Sequence, residues 1–189
     1  MGSDERSREE PSCSDERSRE EPGALMAPPR ALITQAAAEL LRRLRERHGP
    51  LMFHQSGGCC DGSSPMCYPD GEFIVGDRDV LLGVLDGVPV WISAAQFEAW
   101  KHTQLLIDTV PGRGGGFSLE APEGIRFLSR GRAFTPDELT LLEADRPLRG
   151  ADYAGGRRPS PPAQPVVVAA AADACPVPSG RAATAREQG

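Results

Sequence analysis

The stretch Val80-Leu81-Leu82-Gly83-Val84-Leu85-Asp86-Gly87-Val88-Pro89-Val90-Trp91-Ile92 holds two apolar runs of strand length around one Asp-Gly pair. A two-residue Asp-Gly connection tolerates the positive φ angles of turns whose twist matches that of paired strands, so this stretch predicts a β-hairpin. Outward from it lie further runs of strand length: Leu51–His54 and Glu72–Val75 before it, then Leu105–Val110, Phe117–Glu120 and Ile125–Leu128. Pro69-Asp70-Gly71 reads as a turn between them. At the N-terminal side Ile33, Ala37, Leu40, Leu41 and Leu44 recur at helical spacing, with Arg42, Arg43, Arg45, Glu46 and Arg47 on the other face. Thr34 is the expected N-cap, and Gly49-Pro50 is the expected stop. Ser93-x-x-Gln96 predicts a short helix through Trp100, and Thr135-Pro136-Asp137-Glu138 opens another. The expected fold class is α+β: a single compact β-rich domain, mostly antiparallel sheet, with a leading amphipathic helix and two short helices.

The flanks differ in composition. Ser3–Pro11 (SDERSREEP) recurs letter for letter at Ser14–Pro22, a polar, acidic repeat with nothing apolar to offset the entropy of ordering. Residues 1–29 are therefore expected to be a disordered tail, with Met26 as the expected initiator. Residues 30–149 form the domain, and 150–189, rich in proline and alanine, are expected to be a second disordered tail holding Cys175. Of the 189 residues 39% are hydrophobic and 5% aromatic, which suits one modest core. A net charge of −6 argues against a general nucleic-acid binder. No apolar run approaches the roughly 18–20 residues of a membrane span, and the polar N-terminus does not read as a secretory signal. A cytoplasmic protein is expected.

One segment differs in kind: His54-Gln55-Ser56-Gly57-Gly58-Cys59-Cys60-Asp61-Gly62-Ser63-Ser64-Pro65-Met66-Cys67. It holds three of the five cysteines and one of the three histidines. Its paired glycines let the backbone fold back and converge side chains. Inside a cell, clustered Cys and His point to metal or redox chemistry more than to a structural disulfide. Thiolate and imidazole suit zinc, iron, copper(I) or an iron–sulfur cluster. The spacing is not that of a zinc finger or ribbon, and vicinal Cys59 and Cys60 reach one ion only through a sharp bend. The expected ligands are Cys59, Cys60 and Cys67, with His54 as the fourth; Asp61 and His102 are further candidates. Two other readings stand beside this one: thiol redox chemistry at Cys59 and Cys60, and small buried cysteines packed as compact hydrophobes.

Other features read more blandly. His102, beside Trp100 and Lys101, fits a helix-end surface position. Gly112-Arg113-Gly114-Gly115-Gly116 leads into a strand-like run and not a helix, so it meets no phosphate-binding pattern and reads as a hairpin loop. Arg113, Arg126, Arg130 and Arg132 suit either an anion site or a charged outer sheet face. Asp108 reads as an exposed strand position or an inward functional one. No nucleophile elbow or Ser-His-Asp spacing is present.

The string from His48 to Phe134 resembles the bacterial family called domain of unknown function 779. The residues that carry this are His48-Gly49-Pro50, Met52 through Gly62, Pro65-Met66-Cys67, Leu82-Gly83, Trp100 through Gln104, Ile107-Asp108 and Pro111 through Pro122. The resemblance covers most of residues 30–145. Members of that family are often encoded beside aldehyde dehydrogenases, so it implies an accessory role near aldehyde or alcohol oxidation, with a dehydrogenase as partner, and no particular reaction. Gly57 through Gly62 and Gly116 through Pro122 are also similar to the A-type iron–sulfur carriers. Those carriers place a Gly-Gly-Cys-x-Gly turn after an early strand and a Gly-Phe strand before Asn-Pro. Their further Cys-x-Cys has no counterpart after Pro122, so Cys60 and Cys67 would have to substitute. The function expected is a metal- or iron–sulfur-binding accessory protein, not an enzyme. The alternatives are a thiol oxidoreductase or redox sensor using Cys59 and Cys60, and a structural interaction module without metal.

Overall fold

Thr34 ends one strand and begins one helix. In the computed structural model, which describes residues 26–55, 64–113, 116–162 and 164–170, Ala31–Thr34 is strand β1 and Gln35–His48 is helix α1. The Thr34 hydroxyl accepts the Ala37 N–H. Gly49, at φ 79°, closes the helix by donating its N–H to the Arg45 carbonyl. Both caps are where the sequence predicts them, but Ile33 belongs to the strand, being one residue before an extended cap. The helix buries Ala37, Ala38, Leu40, Leu41 and Leu44. Each buried leucine stabilises by about 1.5–3 kcal/mol. Arg42 pairs with Asp86, and Arg43 and Arg47 pair with Glu123, through arginines that are half exposed. Such surface pairs add at most about 1 kcal/mol each, so they orient the helix more than they hold it.

The remaining strands are β2 (Leu51–Gln55), β3 (Pro65–Pro69), β4 (Val80–Leu85), β5 (Val88–Ile92), β6 (Thr103–Pro111), β7 (Ile125–Ala133) and β8 (Val167–Val168). The further helices are α2 (Ala94–Trp100), α3 (Pro136–Ala144) and α4 (Gly150–Ala154), with a single 3₁₀ turn at Ala121–Glu123. Ser93 caps α2 through the Gln96 N–H, and Thr135 with Glu138 forms a reciprocal capping box on α3. Asp86 (φ 48°) and Gly87 (φ 82°) form the predicted hairpin turn.

The strands build two four-stranded sheets, in the orders β7-β6-β1-β8 and β3-β2-β5-β4. The class is α+β, as expected, but the sheets are mixed and not mostly antiparallel. The pairs β2–β3, β4–β5 and β6–β7 are antiparallel, whereas β1 runs parallel to β6 and β8, and β2 parallel to β5. The physical reason is locality. The paired strands that are consecutive in the chain run antiparallel here, whereas parallel partners need a long intervening crossover that no local pattern announces.

Three further expectations need correction. Glu72–Val75 is not a strand: Phe73 and Val75 pack by side chain on the outer face of the second sheet, and Ile74 is exposed. Phe117–Glu120 is a series of turns, bent where the Ser118 carbonyl accepts the Ala121 N–H. Residues 150–168, expected in the tail, supply α4 and β8; Tyr153 sits edge-on to Trp91 with ring centroids 5.3 Å apart, and Val167 and Val168 pair with β1. Apolar residues in a proline-rich context had partners that composition does not reveal.

The main core lies between the sheets and α1, and Phe53 of one sheet meets Phe127 of the other edge-to-face at 4.9 Å. A second cluster covers the outer face of β3-β2-β5-β4, where Met52, Leu81 and Trp91 lie beneath Tyr68, Phe73, Val75, Leu148 and Tyr153. Among the described residues no helix is long and apolar enough to cross a membrane.

Candidate functional site

Gln55 faces Pro65, His54 faces Met66 and Phe53 faces Cys67 across the β2–β3 ladder. Opposed residues share a face and successive residues alternate. Phe53 and Cys67 therefore turn into the main core, while Met52, His54 and Tyr68 turn outward to the second cluster. His54 and Cys67, both expected to bind one ion, are thus on opposite faces of the sheet.

On the inner side, Cys67 is completely buried and free. Its N–H donates to the Ser118 hydroxyl at 2.9 Å, and its carbonyl accepts the Leu119 N–H at 3.1 Å. These bonds cover the outer edge of β3 with the connection between β6 and β7, protecting backbone groups that would otherwise be open to another strand. The Ser118 hydroxyl in turn donates to Glu120 Oε2. Glu120 is 0% exposed, and its Oε1 has no hydrogen-bond partner among the described residues. Burial raises the Glu120 pKa; the Ser118 hydroxyl and the backbone N–H groups of Glu120 and Phe127 offset part of that. Burial, and then the Glu120 charge, push the Cys67 thiol well above the ordinary thiol range. Nearby, the buried Ser129 hydroxyl donates to Gln55 Oε1 at 2.7 Å, linking the two sheets. Arg126 donates to the Ser64 hydroxyl at 3.3 Å. The base of the cysteine-rich segment and the β6–β7 connection therefore meet at one end of the sandwich.

No catalytic or metal-binding motif in the sequence marks Ser118 or Glu120. The available signal was the alternation Phe117-Ser118-Leu119-Glu120, which as an ordinary surface strand would send its polar pair to solvent. The turn inverts this: Ser118 and Glu120 are buried and Phe117 is 85% exposed.

On the outer side, His54 Nε2 lies 3.5 Å from Asp79 Oδ2, and its ring lies 4.4 Å from that of Phe73. Its Nδ1 is buried with no partner among the described residues. Burial lowers the His54 pKa, and Asp79 opposes the shift. Cys59, Cys60 and Asp61 lie outside the described residues. His102 is exposed in the turn before β6, at the end of the β6–β7 ladder where Thr103 faces Ala133. Ser118 and Glu120 precede the opposite end, where Ile125 faces Pro111, so His102 is not brought to Cys67. Among the described residues no group of three or more His, Cys, Asp or Glu is placed to hold a metal.

Two of the four arginines, Arg130 and Arg132, form ion pairs. Arg130 binds Asp108 at 2.8 Å, and Asp108 also accepts the Thr34 hydroxyl at 3.0 Å. Arg132 donates to both Glu138 oxygens and to Gln104. These contacts give the charged outer face its own partners.

The family model described as Domain of unknown function (DUF779) matches residues 40–133. No curated protein and no solved structure matches, so the likeness to A-type iron–sulfur carriers is not shown. The matched span contains Gln55, Cys67, Ser118, Glu120 and Ser129, the buried group described above. The chain belongs to the DUF779 family.

Proposed function

We propose that the chain is a cytoplasmic metal-binding accessory protein and not an enzyme. It holds a zinc or iron ion, or an iron–sulfur cluster, on cysteine thiolates at the end of the sandwich where Cys67 lies. One observation carries this reading: Cys67 and Glu120 are both completely buried, the Ser118 hydroxyl bonds the backbone N–H of one and the carboxyl of the other, and the Glu120 charge acts on the Cys67 thiol. An apolar core disfavours both groups in their charged forms, and a bound cation reverses that preference. Cys59 and Cys60, a few residues beyond β2, are the further donors in this proposal. His54 and His102 are left out because each stands elsewhere in the fold. The proposed client is an aldehyde or alcohol dehydrogenase.

Metal analysis of the full chain, purified with and without air, tests the reading. About one zinc or iron per chain, lost in Cys67→Ser, supports it; protein free of metal from both preparations that also takes up no added zinc overturns it. A thiol-redox function would have to rest on Cys59 and Cys60, since a buried thiol kept protonated by its surroundings is a poor nucleophile.

A further inference from the structure

We infer that the chain carries a second site, independent of any metal: a cleft at the β4 edge that takes a small organic anion with an apolar body. β4 is separated from β3 and Cys67 by two strands of the sheet. The cleft encloses about 610 Å³, a size typical of small-molecule sites. Leu82, Gly83 and Val84 line one side, where β4 runs on past the short cover that Leu148 and Arg149 give to Leu81 and Val80. Pro28, Pro29, Leu141, Pro147 and residues 159–162, three of them proline, line the rest. Prolines have a fixed φ and carry no N–H, so much of this wall is stiff and apolar, with few backbone donors of its own.

Charge sets what the cleft accepts. Its lining holds four arginines, Arg30, Arg146, Arg157 and Arg158, against one acid, Asp145, in a chain of net charge −6. Arg157 is paired with Asp152 at 2.6 Å. The other three have no carboxylate within ion-pair distance among the described residues. Arg30 is only 9% exposed, and its Nη2 donates to the Leu142 and Asp145 carbonyls at the end of α3. Those carbonyls fix the guanidinium without neutralising it; burial lowers the Arg30 pKa, and Asp145 opposes that shift. Arg158 is held in the same way, with Nη1 donating to the Tyr153 and Arg157 carbonyls and the guanidinium 3.9 Å from the Tyr153 ring centroid. A guanidinium fixed in place presents its N–H groups as a planar fork that matches carboxylate or phosphate oxygens. A cation withdrawn from water without a counter-ion is costly, and a bound anion supplies one. Apolar walls alone would accept any apolar molecule; the arginines without carboxylate partners select an anionic head.

The test titrates the full chain with 8-anilinonaphthalene-1-sulfonate, an aromatic anion, and with N-phenyl-1-naphthylamine, its neutral counterpart, both read by fluorescence. The parent is expected to bind the sulfonate at a single site and the neutral probe about tenfold more weakly. Arg146→Gln and Arg158→Gln should each weaken the sulfonate about tenfold, the loss of one charge-assisted hydrogen bond, and leave the neutral probe unchanged. Nothing lies within 4 Å of a Cβ built at Gly83, so Gly83→Leu should fold, fill the cleft and abolish binding of both probes. Arg43→Gln, on α1, should bind as the parent does. Octanoate or octyl phosphate should displace the sulfonate, and the one that does so names the head group. Equal affinity for the two probes, parental binding by both arginine variants or by Gly83→Leu, or no binding at all overturns the inference. Displacement by neither octanoate nor octyl phosphate also overturns it; displacement instead by the peptide SDERSREEP, the sequence of residues 3–11, would give the cleft to an acidic segment. Amide exchange of the parent with and without the sulfonate needs no variant, and so survives a substitution that fails to fold. Protection gathered at residues 82–84 and 141–148 supports the inference, and protection confined to the end of the sandwich where Cys67 lies overturns it.

Discussion

His54 and Cys67 lie on adjacent antiparallel strands, offset by one position in register, and point to opposite faces of the same sheet. Only thirteen positions separate them in sequence, and a pleated backbone still keeps them from sharing an ion. Each residue therefore belongs to a different chemistry: Cys67 to the buried group with Ser118 and Glu120, His54 to the contact between Phe73 and Asp79.

His54 should make stability depend on pH. Burial holds its pKa below the usual 6.5, so the unfolded chain binds the proton more readily than the folded one. Its contribution is full above pH 6.5 and is lost as the pH falls through the lowered folded value. Urea midpoints at pH 7.5 and 5.5 should show the parent losing more stability on acidification than His54→Gln. Equal losses would show that the buried imidazole carries no such linkage.

Cys67 should be an unreactive thiol, being 0% exposed and held protonated by burial and by Glu120. A thiol titration of metal-free protein should release one additional equivalent only on denaturation, and Cys67→Ala should remove that increment. Cys67→Ala should cost about 1 kcal/mol, and Cys67→Ser somewhat more, because it buries a hydroxyl in an apolar site.

Ser118→Ala should destabilise the domain by about 2–4 kcal/mol, since it strips a partner from two buried groups at once, the Cys67 N–H and Glu120 Oε2. The double variant Ser118→Ala with Glu120→Gln should lose less than the sum of the two single changes. Strict additivity in chemical denaturation would show that the two side chains are not coupled.

Gly150 is confined by packing and not by a special φ. A Cβ there would lie 2.1 Å from the Gly76 carbonyl oxygen and 3.2 Å from Val75 Cγ1. Gly150→Ala should therefore cost about 1–3 kcal/mol by overpacking the contact between α4 and the segment before β4. Gly83, with nothing within 4 Å of its Cβ position, is the matched control, and Gly83→Ala should change stability by less than about 0.5 kcal/mol. Thermal melts of both variants check the contrast.

The elements legible in the sequence are those whose causes are local. The caps at Thr34, Gly49, Ser93 and Thr135 act within four residues, the Asp86-Gly87 turn within two, and the leucine stripe of α1 within four turns. The sequence by itself therefore determined the helix ends, the hairpin, the α+β class and the family string. It also marked Cys67 as part of something unusual.

The tertiary structure alone decided which face each residue took. Whether Phe53 or His54 turns inward depends on a register shared with β3 and β5, and a slip of one residue would exchange them. The parallel pairing of β1 with β6 depends on strands more than sixty residues apart. Alternation alone assigns the polar residues of a strand-like run such as Phe117–Glu120 to solvent, Glu120 among them. Glu120 is buried because Ser118 bonds to both it and the β3 edge, and that bond spans fifty-one positions of chain. Short-range propensity sets where an element begins and ends; which side of it meets the core is a property of its partners.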